Sequence, residues 1–432
     1  MTRRSALGIL TAGALVVGLA FKLVTAGTHG SVIRPNAPPP VGAFRDGGVP
    51  QTDVPIERVL AGVLPRLLDH KLTDEAGRQA LVASLREHRA FARNPALAAS
   101  WRAMIDNLDR WMNLDSTDRS YRAMSAELRD RVGVVSDQLA AAQLGYYLDP
   151  EILAEHARRR AVISAYRIDE VAFVRADRAR VRVLGVRRLG PEDEIAALGM
   201  TVDELGDPVV LLDRVDDKIH TQILPVLAGW PYWLGDDGWS ATSLGHRTSE
   251  IAGDAIRREL LIALGSDAAT AELATARLHK LVAASVRHHE AQHALDHDRD
   301  LRQPETLAML GDPRSELAIR TRYELSGYLS QIASDMWLPQ LTLWNLARHA
   351  FHHTQGGVVA EAYVAVAVIE GMARQLHIVS RGPVFHDNQI DRERLAALVP
   401  AIAVRSTTEL RSAAARCWVE DFDGHLERIV DD

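Results

Sequence analysis

Residues 281–293 of the chain read LVAASVRHHEAQH and contain its most informative pattern. Apolar residues fill its first turns, and their spacing extends to a predicted helix over residues 269–296. His289 and His293 lie four residues apart, so both imidazoles stand on one face of that helix. A largely buried helix would not carry these histidines and Glu290 inward without a use for them, because unpaired polar burial is costly. The stretch therefore predicts a polar site on the inner face of a helix.

The order of residue types in this stretch indicates a metal site. Two imidazoles on one helical face can bind one tetrahedral ion from the same side. Glu290 follows the first histidine, and a carboxylate there can accept a proton from metal-bound water instead of binding the metal. We therefore expect His289 and His293 to bind Zn²⁺ and Glu290 to act as a general base.

A third metal ligand is expected from the next helix. That helix is predicted over residues 314–350, bent or broken before Pro339, and a short connection makes it an antiparallel neighbour of the first. Glu324 is the favoured ligand, since the small residues Ser326 and Gly327 permit a close approach of the two helices. The predicted ligand set is therefore two histidines and one glutamate.

Three nearby residues compete for a place in this site or support it. Glu316 is the rival third ligand, but an acid near a helix start can serve simply as an N-terminal charge. His297 follows His293 at helical spacing, although a straight helix rarely supplies three ligands to one ion. Asp296, three residues after His293, is a candidate for orienting an imidazole.

The HExxH stretch followed by a glutamate on the next helix resembles the gluzincins, a group of zinc metallopeptidases. The likeness covers about residues 280–335. It implies that His289, His293 and Glu324 are the zinc ligands and that Glu290 is the catalytic base acting on zinc-bound water. It further implies that a sheet precedes the first helix and that the substrate is a peptide or protein.

The sequence departs from the gluzincin pattern in two places. The Asn-Glu pair that many of these enzymes show around the third ligand is absent, since Tyr323 precedes Glu324. No familiar substrate-strand motif lies upstream. The resemblance therefore indicates the group and leaves the particular family open.

A hydrolase of this kind also needs a donor for the oxyanion of its tetrahedral intermediate. Tyr328, one turn after the expected third ligand, is the first candidate, although it can equally be a core residue. A histidine from the group His349, His352 and His353 is the second. Histidines at the end of a helix also suit the helix dipole, so the choice stays open.

The chain divides into five regions by composition and periodicity. They are an export signal or membrane anchor at 1–26, a Pro/Gly-rich linker at 27–54, a helical domain at 55–158, a small α/β region with strands and a Trp/Gly-rich loop at 159–247, and a helical zinc-binding catalytic domain at 248–432. Strands are predicted at 161–166, 171–174, 180–186 and 209–212. The predicted fold is α+β and mostly α-helical, with a small central β-sheet followed by a zincin-like helical catalytic region.

The first residues favour export from the cytoplasm. Arg3 and Arg4 precede an uncharged run over residues 6–21, and Val24-Thr25-Ala26 offers a small-residue cleavage site. The run is short for a spanning helix, which needs about 20 residues. An uncleaved anchor with Lys22 reaching the interface stays open. Both interpretations predict a periplasmic or other extracytoplasmic protein, with membrane attachment possible through this segment.

The composition narrows the function classes. Of the 432 residues 47% are hydrophobic and only 5% aromatic, which favours helices and a sizeable core. The formal net charge of -7, with acids and bases interleaved, is unlike the basic surface of a nucleic-acid-binding protein. Cys417 is the single cysteine, so any metal must be held by histidines and carboxylates.

Rival functions follow from the same motif. A di-iron carboxylate bundle needs a second ExxH sequence on another helix, and the chain has none. A zinc hydrolase acting on something other than peptides stays open. So does a non-catalytic metal-binding or structural helical protein of the cell envelope.

Overall fold

The computed structural model describes residues 51–68, 74–114, 120–155, 158–177, 179–190, 199–201, 208–297, 299, 301–352 and 359–432. The predicted export signal and nearly all of the linker lie outside these ranges. The described chain forms two compact units, one up to Val171 with 185–190, and the other with 172–184, 199–201 and 208–432. Within the described part, no helix combines the length and the apolar character needed to cross a membrane.

The first unit is mainly helical, as its periodicity predicts. Its helices are α1 (Val54–Arg58), α2 (Leu64–Leu68), α3 (Glu75–Arg86), α4 (Pro95–Met112) and α5 (Tyr121–Ala141). A π-helical turn joins α1 to α2, and a 3₁₀ turn follows α3. The core is built on large buried side chains, among them Trp101 and Trp111, whose indole N–H groups donate to Leu85 O and Ser125 Oγ. Satisfying both indoles lets the tryptophans be buried without loss of a hydrogen bond.

Strands β1 (Tyr146–Glu155) and β2 (Arg158–Arg175) differ from the sequence-based expectation. The helical pattern was predicted to continue to about residue 157, which is wrong for β1. The segments 161–166 and 171–174 were predicted as two strands, but both belong to β2. The two strands pair antiparallel, and the rings of Tyr147 and Tyr166 stack across the pair with centroids 6.0 Å apart. Cross-strand packing of this kind stabilises a strand through residues distant in sequence, so local periodicity does not reveal it.

The second unit contains the longer helices. They are α6 (Leu212–Lys218), α7 (Leu224–Leu227), α8 (Asp237–Ser240), α9 (Ser243–Leu264), α10 (Ala271–Asp296), α11 (Glu316–Ser334), α12 (Pro339–His352), α13 (Ala360–Gln375), α14 (Arg392–Ala403) and α15 (Thr407–Phe422). A π-helical turn, Ile219–Ile223, joins α6 to α7, and 3₁₀ turns precede α10 and α11. The helix predicted over 269–296 is confirmed as α10.

The strands that complete the sheet follow β2 in the chain. They are β3 (Arg180–Leu189), β4 (Gly199–Thr201), β5 (Pro208–Leu211) and β8 (Val430–Asp431), while β6 (Phe385–His386) and β7 (Gln389–Ile390) form a separate hairpin. β3 lies between β2 and β5, β4 pairs antiparallel with β5, and β8 pairs antiparallel with β2. The mostly helical α+β fold with a small sheet is confirmed.

The predicted break before Pro339 separates α11 from α12 and has identifiable causes. The carboxylate of Asp335 accepts hydrogen bonds from the two amides before Pro339. The buried carboxylate of Glu259, on α9, accepts from the amides of Gln340 and Leu341 at 2.9 and 3.0 Å. These acceptors satisfy the first N–H groups of α12, which have no partner inside the helix. The new helix is thereby fixed at its start.

Candidate metal centre

Helices α10 and α11 carry the candidate site, and both begin at a defined cap. The hydroxyls of Thr270 and Ser315 accept hydrogen bonds from backbone amides in the first turns of α10 and α11. Apolar residues then bury one face of each helix against the core of the second unit. The HExxH stretch falls in the last turns of α10, where the two helices pack together.

His289, His293 and Glu324 are brought together in the structure. The two Nε2 atoms of the histidines are 2.9 Å apart, and Nε2 of His289 lies 3.5 Å from Oε2 of Glu324. One ligand atom from each of the three residues lies within 4.8 Å of the others. In a tetrahedral zinc site with ligand distances of about 2.1 Å, neighbouring ligand atoms are about 3.4 Å apart. The two nitrogens and one oxygen could therefore hold a metal ion.

His289 is buried, His293 and Glu324 are half-buried, and the charges of these three residues act on one another. Burial opposes protonation of His289, but Glu324 and Glu290 raise its pKa above the ordinary value. Burial and the neighbouring His289 lower the pKa of His293 to about 4. Burial alone would raise the pKa of Glu324, yet its contact with His289 and the charge of His293 bring it down to about 2. The site thus supplies an ionised carboxylate and at least one neutral imidazole, as metal binding requires.

Gly327 lets the two helices approach at the metal site. A Cβ atom built on this glycine would lie 2.8 Å from Cε1 of His289 and 3.0 Å from Cε1 of His293. The neighbouring Ser326 donates from Oγ to Oδ2 of Asp296 at 2.6 Å and accepts from the indole of Trp418 at 2.9 Å. The predicted close approach of the two helices is therefore confirmed. Gly327 leaves space for the imidazoles, and Ser326 links α11 to α10 through Asp296.

Replacing Gly327 by Ala is expected to weaken zinc binding about tenfold or more. The added methyl group would push against both imidazoles, overpacking of a dense site costs about 1–3 kcal/mol, and 1.4 kcal/mol corresponds to a factor of ten. Zinc affinity measured by competition with a chromophoric chelator checks this. Gly62→Ala is the matched control, because a Cβ there meets nothing within 4 Å. Equal zinc affinity in both variants would show that Gly327 does not constrain the site.

Glu290 and Tyr328 lie beside the ligand cluster. Glu290 is only 5% exposed, and its charge contributes to raising the pKa values of His289 and Tyr328. The ring of Tyr328 contacts that of His289, with centroids 4.6 Å apart and an angle of 68° between the planes. Burial raises the pKa of Tyr328 well above its usual range, so its hydroxyl keeps its proton. The charge of Glu290 therefore acts on His289, and the protonated phenol of Tyr328 lies against the imidazole of His289.

The rival residues lie elsewhere. Glu316 is exposed in the first turn of α11, and His297 caps the end of α10 at the surface. The backbone carbonyl of His352 accepts a hydrogen bond from Arg392, which also pairs with Asp236. The last member of the histidine group, residue 353, lies outside the described residues. The ring of Tyr328, by contrast, contacts that of His289.

The prediction that Asp296 orients an imidazole is replaced by another role. Asp296 is fully buried and accepts hydrogen bonds from the Gln292 amide at 2.7 Å and from Ser326 at 2.6 Å. Its carboxylate therefore ties α10 to α11. Burial raises its pKa to about 6.

Sequence reasoning missed an ion pair at the edge of the site. Arg320 pairs with Glu361 of α13, and the charges of both act on the site, Arg320 lowering the pKa of Glu324 and Glu361 raising that of Tyr328. Arg320 lies one helical turn before Glu324, so helical spacing was a signal that could have identified it. No sequence pattern could have identified Glu361, because only the packing of α13 brings it close to Arg320.

Searches of known protein families, of curated proteins and of solved structures found no match for this chain.

Proposed function

We propose that this protein is a zinc-dependent hydrolase, and specifically a metallopeptidase, with His289, His293 and Glu324 as zinc ligands and Glu290 as general base. The observation that carries the proposal is the convergence of three ligand atoms within 4.8 Å, from two helices, beside a buried carboxylate that is not itself a member of the cluster. A 2.9 Å approach of two imidazole nitrogens is the arrangement that a shared ion would stabilise.

The chemistry divides among these side chains. Zinc bound here would lower the pKa of a water molecule and polarise a substrate carbonyl. Glu290 would accept a proton from the attacking water and return it to the leaving amine. Tyr328 donates its hydroxyl proton in a hydrogen bond to the oxygen that becomes negative as the carbonyl carbon turns tetrahedral. Burial of Glu290 and of His289 limits water around the reacting atoms and strengthens these electrostatic interactions.

The substrate and the location are further parts of the proposal. A peptide or protein substrate is supported by the gluzincin-like order of HExxH and glutamate in α10 and α11. A periplasmic or other extracytoplasmic location, with possible attachment to the membrane, is supported by the arginine pair and apolar run within residues 1–26. The net charge of -7 supports the expectation that nucleic acid is not a partner.

The test is the metal content and the hydrolytic activity of the purified protein. We expect one zinc ion per chain, cleavage of members of a fluorescence-quenched peptide library, loss of that cleavage with a chelator, and its return with Zn²⁺ but not with Mg²⁺. A folded protein without zinc would overturn the whole proposal. A zinc-bound protein that cleaves neither peptides nor simple esters would favour the alternative, a non-catalytic metal-binding protein of the cell envelope.

A further inference from the structure

A buried lysine lies outside the metal site. The sequence has four lysines, and Lys218 is the last residue of α6, directly before the π-helical turn Ile219–Ile223. Its side chain is buried, with 8% of the residue exposed. π-helical turns inside helices are often found at functional sites. Since arginines far outnumber lysines in this chain, the placement of a lysine at a buried position is itself unusual.

Lys218 has no counter-charge in the described part of the chain. Its ammonium group has neither a hydrogen-bond partner nor a carboxylate within 4 Å among the described residues. The charge that acts on it is another cation, the guanidinium of Arg348 on α12. Burial and this arginine together lower the pKa of Lys218 to about 7. Arg348 is only half-buried, but a cation beside a buried lysine disfavours the charged form of that lysine, and a bound anion would stabilise it.

The surroundings of Arg348 supply further hydrogen-bonding groups. Its Nη1 donates to the amide oxygen of Gln222 at 2.9 Å, in the same π-helical turn that follows Lys218. Its guanidinium lies 5.6 Å from the ring centroid of Tyr232, whose hydroxyl donates to Asn345 at 3.2 Å. These contacts hold Arg348 in place through Gln222 and Tyr232. The cluster therefore contains more donors than acceptors.

We propose that Lys218 and Arg348 form a binding site for a small oxyanion, a carboxylate or a phosphate group. The lysine offers a compact charge with three donors, and the arginine offers a planar fork that matches two oxygens of such an anion. Tyr232, Gln222 and Asn345 keep the fork oriented. The site uses none of the proposed zinc ligands, so the anion-binding proposal can be tested independently of the hydrolase proposal.

The test is to measure anion binding by the full chain, using calorimetry and thermal unfolding. Inorganic phosphate and acetate are titrated separately against chloride at equal ionic strength, with Zn²⁺ and again with a chelator. We expect saturable binding and a saturable rise in the unfolding midpoint for at least one anion, with or without zinc. A response to phosphate alone identifies a phosphate site, and a response to acetate identifies a carboxylate site.

Lys218→Met removes the lysine charge and keeps a long apolar side chain. Arg348→Met removes the arginine charge in the same way. We expect both variants to lose the saturable response, with Lys218→Met at least as stable as the unsubstituted protein when no anion is added. Lys280→Met, at an exposed position on α10, is the control that keeps the response. The proposal is overturned if neither anion binds saturably, or if Lys218→Met binds it unchanged. Binding that requires zinc and survives in Lys218→Met would place the anion at the metal instead.

Discussion

Replacing Glu290 by Gln is expected to leave zinc in place and to slow hydrolysis about 10²–10⁴-fold, the usual contribution of a general base. Glutamine has nearly the shape of glutamate, so the packing around this buried position changes little. Its amide cannot accept a proton from water at neutral pH. Because Glu290 is not a member of the ligand cluster, the metal should be retained. The measurement is kcat on the peptides that the unsubstituted protein cleaves, together with zinc content.

Glu316→Gln is the matched control for this experiment. Both residues are glutamates on the two helices that carry the site, but Glu316 is exposed at the start of α11. This variant should keep both zinc and activity. If Glu290→Gln loses the metal, the residue is needed for the ligand cluster; if it keeps full activity, Glu290 is not the base.

Replacing His293 by Ala is expected to lower zinc affinity by more than the 10–100-fold that loss of an outer-shell partner costs. The variant removes one of the two nitrogens that face each other at 2.9 Å and leaves a two-residue site. Zinc should raise the unfolding midpoint of the unsubstituted protein, because an ion that binds only the folded chain stabilises it. The same addition should leave the midpoint of His293→Ala nearly unchanged.

His297→Ala controls for the loss of a histidine from the same helix. His297 lies one turn further along and is exposed, so its removal should change neither zinc affinity nor the zinc-dependent midpoint. Equal losses in the two variants would contradict the assignment of His293 as a ligand.

Acidification should release zinc, and the pKa shifts indicate which of the two histidines is protonated first. Protons compete with the metal for the ligand nitrogens, so affinity falls as pH falls. His289 has a raised pKa, whereas that of His293 is lowered to about 4. His289 therefore takes up a proton first, and affinity should begin to fall above the ordinary histidine pKa of about 6.5. A zinc titration at a series of pH values measures this; affinity that stays constant down to pH 5 would contradict it.

Helical periodicity was enough to predict the helix that carries the site and the spacing of its side chains. His289, Glu290 and His293 share a face of α10 because the helical repeat places them there, whatever the rest of the fold does. The same repeat predicted α11 and its separation from α12 at Pro339, since proline disfavours a helical conformation in the residue before it. Glu324 and Gly327 could be selected because a short connection leaves few ways to pack two helices.

Features that depend on distant partners become visible only in the folded chain. β1 is a strand because β2 offers its backbone and side chains, which no local pattern in residues 146–155 reveals. Glu361 meets Arg320 only through the packing of α13, and Lys218 is buried only because of the helices around it. Helical spacing is a short-range property of the chain, whereas pairing, burial and the balance of charge are set by contacts between residues far apart in sequence.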